Sequence, residues 1–243
     1  MHIHISENYE ELSLQSLDAT VQYLQASAQP LLCVASGDSP KGLYAELVRR
    51  TQDQTLDISN WNFVGLDEWL GMDKFDEGSC AHMLEAALVK PLQLTNTNSA
   101  FFNGKAKNTV EECARIESFI SQKGGIDVAI LGLGLNGHLG LNEPGTAITE
   151  RSHVSVIHPL TQQVGQKYFT GETKLVNGIT LGLATLNESS QIILVVNGER
   201  KAAIVKSLVE GPVTDQLPAS LLRNHPGFHL FLDKAAASLL SSK

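Results

Sequence analysis

The sequence is short of cysteine, aromatic residues and positive charge, and each shortage excludes something. Its three cysteines, Cys33, Cys80 and Cys113, are an odd number at unrelated spacings. That leaves no disulfide framework and no cysteine metal cluster, and it fits a reducing cytoplasm. Lys and Arg number 18 against 26 Asp and Glu, for a formal net charge of −8. A general basic surface for nucleic acid or anionic membrane is therefore not expected, although a local pocket could still hold an anion. No apolar run approaches membrane-spanning length, and "MHIHISENYEEL" lacks the charged start and apolar stretch of a secretory signal. Outside His138, the histidines form no HxxEH pattern, so no metal is expected. Nor is there an internal repeat, a low-complexity tract or a Pro/Ser-rich linker. With 243 residues and 42% hydrophobic content, one domain spanning the chain around one well-buried core is the expectation.

What the chain does contain is alternation. Short apolar runs at 2–6, 31–36, 62–69, 126–134, 153–157, 178–186, 191–198 and 228–233 read as strands. Between many of them lie stretches with apolar residues at three- and four-residue spacing, at 8–28, from about 40 to 50, 81–92, 109–122 and 199–210, which read as helices. Strands apolar on both faces and separated by helices predict an α/β fold: a single-domain, Rossmann-like, doubly wound and mostly parallel sheet with helices on both faces. In such folds ligands bind at the carboxyl ends of the strands. Polar clusters fall at four such ends: "SGDSP" from Ser36, "DEW" from Asp67, "NGHLGLNEPG" from Asn136, and "NGERK" from Asn197.

Each cluster has a chemical reading and a plainer one. "SGDSPKG" joins a strand to a helix, where free N–H groups, the helix dipole and the Ser36 and Ser39 hydroxyls suit a phosphate. It could equally be an ordinary turn capped by Asp38 or Ser39, and a carboxylate at Asp38 sits awkwardly beside an anion. Asp67 could be a general base, made more basic by partial burial, or a solvated loop acid. Trp69 could exclude water or belong to the core. His138 and Glu143 lie five apart beyond a glycine-rich turn. A carboxylate within reach would hold the imidazole in one tautomer and raise its proton affinity; a core-facing histidine is the alternative. Lys201 and Lys167 are candidate anion clamps or solvated surface lysines. Cys80, with no visible base partner, reads as a buried thiol.

With "GDSPKGLY", "FVGLDEW", "LGLGLNGHLGLNEPG" and "NGERKAA" in this order, nearly the whole chain resembles the glucosamine-6-phosphate/galactosamine-6-phosphate isomerase (deaminase) family. The stretches "GSC" at 78–80, "KGGIDVAILGLG", "GITLGLATL" and "LPASLL" make it most similar to the galactosamine branch, whose ketose product would be tagatose 6-phosphate. The resemblance implies that Asp67 takes the C2 proton and returns it at C1, and that His138 opens the sugar ring with support from Glu143 and Asn136. Substrate and phosphate would be held by Ser36, Gly37, Asp38, Ser39, Gly137, Lys201 and Lys167, the last standing where the deaminases often have arginine. No metal or organic cofactor is implied. The expected partner is a small amino sugar phosphate, with no nucleic acid and no membrane, and with homo-oligomerisation open. Three features depart from the family pattern: Asn136 stands where many members have Asp, Asp38 occupies a usually small position, and His153 lies near an allosteric arginine. From the last of these, no activation by N-acetylglucosamine 6-phosphate is expected. The alternatives are a glucosamine-6-phosphate deaminase and a 6-phosphogluconolactonase on the same fold. A sugar-phosphate-sensing domain would require a helix-turn-helix ahead of the first strand.

Overall fold

The computed structural model describes residues 1–241. Seven strands form a parallel sheet: β1 (His2–Ser6), β2 (Leu31–Val34), β3 (Asn62–Gly65), β5 (Ser99–Ala100), β6 (Val128–Gly132), β9 (Gln191–Val196) and β10 (Phe228–Asp233), in the order β1-β10-β9-β6-β2-β3-β5. Three further strands, β4 (Asp67–Trp69), β7 (His153–Val156) and β8 (Asn177–Thr180), make a small antiparallel sheet in the order β4-β8-β7.

The parallel sheet is buried on both faces because its strands are apolar at successive positions. Leu31 and Cys33 of β2 pack with Ala129 and Leu131 of β6 on one face, while Leu32 and Val34 pack with Val128 and Ile130 on the other. The first face is covered by α4 (Thr109–Gln122), α6 (Leu183–Asn187), α7 (Ala202–Glu210) and α8 (Pro218–Leu221). The second is covered by α1 (Tyr9–Leu24), α2 (Lys41–Gln52) and α3 (Cys80–Leu84), which continues as a π-helical turn over Glu85–Val89. Each fully buried Leu or Phe contributes about 1.5–3 kcal/mol relative to exposure, so both helical layers are firmly held. Asn8 caps α1 by accepting the Glu11 N–H at 2.9 Å, and Asn108 does the same for α4.

The expected doubly wound sheet is present, with three differences. The run 62–69 is two strands: Leu66 hydrogen-bonds to Val34 and Leu181, and the chain then leaves the parallel sheet to pair Asp67 with Thr180. Asp67 therefore opens a second strand, where the end of one continuous strand was expected. The run 178–186 stops being a strand at Thr180, and its second half is α6. The strand at 153–157 joins the small sheet, antiparallel to β8.

At the edge of the large sheet, β1 places His2 opposite His229 with the rings stacked at 4.8 Å, and His4 Nε2 lies 3.3 Å from His229 Nδ1. Burial, followed by the neighbouring His2 and His4, pushes His229 down to about 4. A histidine lowered in the folded state contributes stability that is complete above its unfolded value of about 6.5 and is lost as the pH falls toward the folded value. The melting temperature is thus expected to drop between pH 6.5 and 4, and His229→Asn should flatten that slope. Thermal melts of both proteins across this range check it.

Candidate active site

β2 and β6 are adjacent, and from them the strand order runs outward in opposite directions. A crevice at their carboxyl ends is where this topology puts ligands. The structure has a cavity of about 410 Å³ there, lined by Ser36, Gly37, Asp38, Ser39, Asp67, Trp69, Cys80, His138, Lys167, Tyr168, Asn197 and Lys201 among others. All four polar clusters of the sequence meet in it.

Asp67 reaches the cavity because β4 turns away from the parallel sheet. Its Oδ1 is sealed from solvent and has no hydrogen-bond partner. Burial, and then the adjacent Glu68 charge, raise its carboxyl to about 7, opposed by the Cys80 thiol. A carboxylate of this kind accepts a proton readily near neutral pH. Cys80 is buried and its thiol is pushed well up, by burial first and then by Asp67 and Glu68; it is a neutral neighbour, as expected of a buried thiol. Glu68 lies outside the cavity, fully buried.

His138, in the same cavity, ends a relay of side chains. Glu143 Oε2 accepts from Asn136 Nδ2 at 2.8 Å, and Asn136 Oδ1 lies 2.7 Å from His138 Nδ1. With its NH₂ committed to a carboxylate, Asn136 presents only an acceptor to His138, so Nδ1 carries the proton and Nε2 is left with its lone pair. Thr161 Oγ1, on α5 (Pro159–Gly165) and 3.1 Å from Nδ1, adds a second contact that the sequence did not signal. The single-tautomer expectation holds. The raised proton affinity does not: burial, then Lys201 and His158, push His138 down to about 3. Asn136 stands between the two groups, and Glu143 Oε2 approaches Nδ1 only to 3.6 Å, so the carboxylate acts through a neutral amide and His138 stays uncharged. Burial likewise raises Glu143 against the hydrogen bonds of Thr161 and Asn136.

The glycines of this stretch have distinct jobs. At Gly134 a Cβ would sit 2.3 Å from the His138 ring, so glycine is needed for the imidazole to lie against the backbone. Gly137, at φ +84°, turns the chain; its O accepts from Ala219 and a Cβ would strike Leu217. Gly137 does not line the cavity, and neither do Asn136 and Glu143, which act from behind His138.

The fourth wall is the β2–α2 turn. Gly37 adopts φ +97°, and the N–H groups of Gly37, Asp38 and Ser39 find no acceptor among the described residues. Neither Asp38 nor Ser39 caps α2: Pro40 is the N-cap residue, Ser39 Oγ donates to Asn197 at 3.0 Å, and the Tyr9 hydroxyl takes the Gly42 N–H at 2.8 Å. Asp38 instead pairs with Lys41 at 2.7 Å and Lys167 at 2.5 Å. Partial burial would raise its carboxyl, but the hydrogen bonds from the two lysines more than reverse this and hold it low. The two ammonium groups offset the charge that looked awkward for an anion. Lys201 ends a 3₁₀ turn (Glu199–Lys201), and its ammonium donates to the Leu133 carbonyl across the cavity. Burial, then Lys167, push it down to about 8, with Asp38 opposing. The turn is anchored by Asp233, whose carboxylate accepts the Gly198 N–H at 3.0 Å through both oxygens. Sequence reasoning missed Tyr168, which lacks any motif signal, and gave no role to Asn197, although it opens the NGERK cluster.

A parallel α/β sheet with a buried unpartnered carboxylate, a neutral imidazole of fixed tautomer and an N–H-rich turn flanked by lysines defines an acid–base site beside an anion pocket. Comparison with known proteins gives that class a family. The chain matches the family described as glucosamine-6-phosphate isomerases/6-phosphogluconolactonase over residues 6–230, and it belongs to that family. It is similar to a glucosamine-6-phosphate deaminase of Clostridium perfringens (32% identity over 241 residues, 99% of this chain and 100% of the relative). Glucosamine-6-phosphate deaminase 1 of Bacillus subtilis is 32% identical over 240 residues, 98% of this chain and 99% of that one. Among solved structures, a monomeric glucosamine-6-phosphate deaminase superposes with TM-score 0.94 at 32% identity, covering 98% of this chain and 100% of its own. A 6-phosphogluconolactonase of Trypanosoma brucei shares the fold at TM-score 0.77 and 21% identity, covering 99% of this chain and 98% of its own.

Proposed function

We propose that the protein is a hexosamine-6-phosphate deaminase, converting an amino sugar 6-phosphate and water to the ketohexose 6-phosphate and ammonia. The observation that carries this reading is Asp67: a sealed, unpartnered carboxylate oxygen in the same cavity as His138 and the β2–α2 turn. Hydrolysing a lactone requires no base for a carbon-bound proton, whereas aldose–ketose proton transfer does.

The phosphate is held by the N–H groups and hydroxyls of Ser36–Ser39 and by Lys201, which places the sugar between Asp67 and His138. His138 Nε2 takes the proton of the anomeric hydroxyl and delivers it to the ring oxygen, opening the ring. Asp67 then removes the C2 proton while O1 takes up a proton from solvent, giving an enolamine, and returns its proton at C1 as the amino nitrogen gives one up to solvent, leaving a ketimine at C2. Water adds to the ketimine and ammonia departs. Positioning and proton transfer are what these side chains supply. The galacto sugar as preferred substrate is supported by the sequence stretches that resemble that branch; the relatives compared above carry the gluco name. A cytoplasmic location is supported by the three free cysteines.

The test is ammonia release from galactosamine 6-phosphate and glucosamine 6-phosphate in parallel, with identification of the ketose. Ammonia from either supports the reading, and the faster one sets the branch. Ammonia from neither, with hydrolysis of 6-phosphogluconolactone, overturns it. In the same assay Lys201→Ala is expected to raise KM about 10- to 100-fold, the range for losing a charged hydrogen bond, with kcat largely kept. Lys167→Ala should raise it less, because Asp38 already engages that ammonium. An unchanged KM for Lys201→Ala would remove Lys201 from the phosphate site.

A further inference from the structure

Glu68 is fully buried and outside the cavity, and the mechanism above gives it no step. Its Oε1 accepts the backbone N–H groups of Trp69 at 2.8 Å and Cys80 at 3.0 Å, and its Oε2 accepts that of Ala81 at 2.8 Å. The carboxylate thus clamps the first turn of α3 onto β4, immediately beside Asp67, and sets Cys80 against it. Gly104 closes the compartment: a Cβ there would lie 2.1 Å from the Trp69 carbonyl and 3.1 Å from Glu68 Cγ. Burial raises the Glu68 carboxyl above its ordinary value, and the N–H groups of Ala81, Trp69 and Cys80 oppose this; with both oxygens accepting backbone N–H groups, the arrangement suits the ionised form.

We infer that Glu68 is the positioning residue of Asp67: its carboxylate fixes the β4–α3 junction that frames the base. A negative charge held on the adjacent residue then also opposes ionisation of Asp67. The inference rests on the reading of Asp67 as the base. Other titratable groups around Asp67 are in no position to do this. Cys33 on β2, Tyr44 on α2 and Cys80 on α3 are all pushed up by burial and stay neutral. Asp73 and Asp76, in the loop after β4, are occupied by Lys105 at 3.2 and 2.6 Å. Across the cavity His138 is neutral, Asp38 is paired with Lys41 and Lys167, and Lys201 is cationic. Glu68 is left as the adjacent fixed anion. Two like charges on neighbouring residues in a water-poor site interact strongly enough to move a midpoint by about one pH unit or more.

The experiment is carbon-13 carboxylate NMR of aspartate-labelled full-length protein, with the Asp67 signal assigned by its loss in Asp67→Asn. In Glu68→Gln the Asp67 midpoint is expected to fall by about one pH unit, and the acid limb of kcat/KM should move down with it. A purely structural Glu68 would lower the melting temperature and leave the midpoint where it was, and that result overturns the inference. Should Glu68→Gln fail to fold, glutamate-labelled wild type decides: Glu68 must remain ionised while Asp67 titrates, and a protonated Glu68 at pH 6 overturns the inference. A shifted midpoint in a protein that releases no ammonia from either amino sugar phosphate upholds the role of Glu68 and sinks the proposed function instead. Ammonia release with an unmoved midpoint does the reverse.

Discussion

Asp67→Asn is expected to abolish exchange of the C2 proton with solvent and to lower kcat by about 10²–10⁴-fold, the range that a positioned general base supplies, while KM changes little. The amide has the shape of the carboxylate but cannot take a proton from carbon. It also leaves the phosphate turn untouched, because Asp67 bonds to none of Ser36–Ser39 or Lys201. The same variant should be the more stable protein above neutral pH. A carboxyl raised from its ordinary value to about 7 contributes full stability below its unfolded value, and that contribution is lost as the pH rises through the folded one. Asn removes the penalty. Deuterium exchange at C2 followed by proton NMR, together with melting curves at pH 8, checks both halves. Exchange at the normal rate would show that another group is the base, and a melting temperature at pH 8 equal to or below that of the wild type would show that Asp67 ionises there without cost. For the wild type, activity should rise with pH through about 7 as Asp67 deprotonates, with no contribution from His138, which is pushed far below that range.

Much of this was legible in the chain, and the parts that were not have physical reasons. Strands such as Gln191–Val196 and the helix Thr109–Gln122 show their period directly, because burial on both faces of a sheet or one face of a helix leaves a pattern. The motif residues Asp67, His138, Ser36 and Lys201 could be placed in one crevice because strand ends converge in a parallel sheet. The departure of the chain at Leu66 was not legible, since an apolar run reads the same whether it stays in one sheet or crosses to another. Thr161 was invisible for a different reason: it lies 23 residues from His138 and meets it only through tertiary packing. The proton affinity of His138 was misjudged because the sequence shows that Glu143 is near. It does not show that Asn136 stands between them, nor how dry the site is.

That interposed amide sharpens what His138 can do. A histidine paired directly with a carboxylate would be a stronger base and would charge within the working range; here the relay through Asn136 fixes the tautomer and leaves the ring neutral. Such an imidazole is suited to passing a proton between two oxygens of one substrate, where it need not hold the charge for long. His138→Ala should therefore slow the reaction of the cyclic sugar by about 10²–10⁴-fold, the usual contribution of one acid–base group. The loss should fall on ring opening alone. An amino sugar 6-phosphate lacking both the 4- and the 5-hydroxyl can form neither the furanose nor the pyranose, so His138→Ala should turn it over at nearly the rate of the wild type on that substrate, while Asp67→Asn remains inactive on it. Comparing both variants on the cyclic and the open-chain substrate separates the two roles. An equal loss for His138→Ala on both substrates would place His138 in the C2-to-C1 proton transfer and leave ring opening to another group or to solvent.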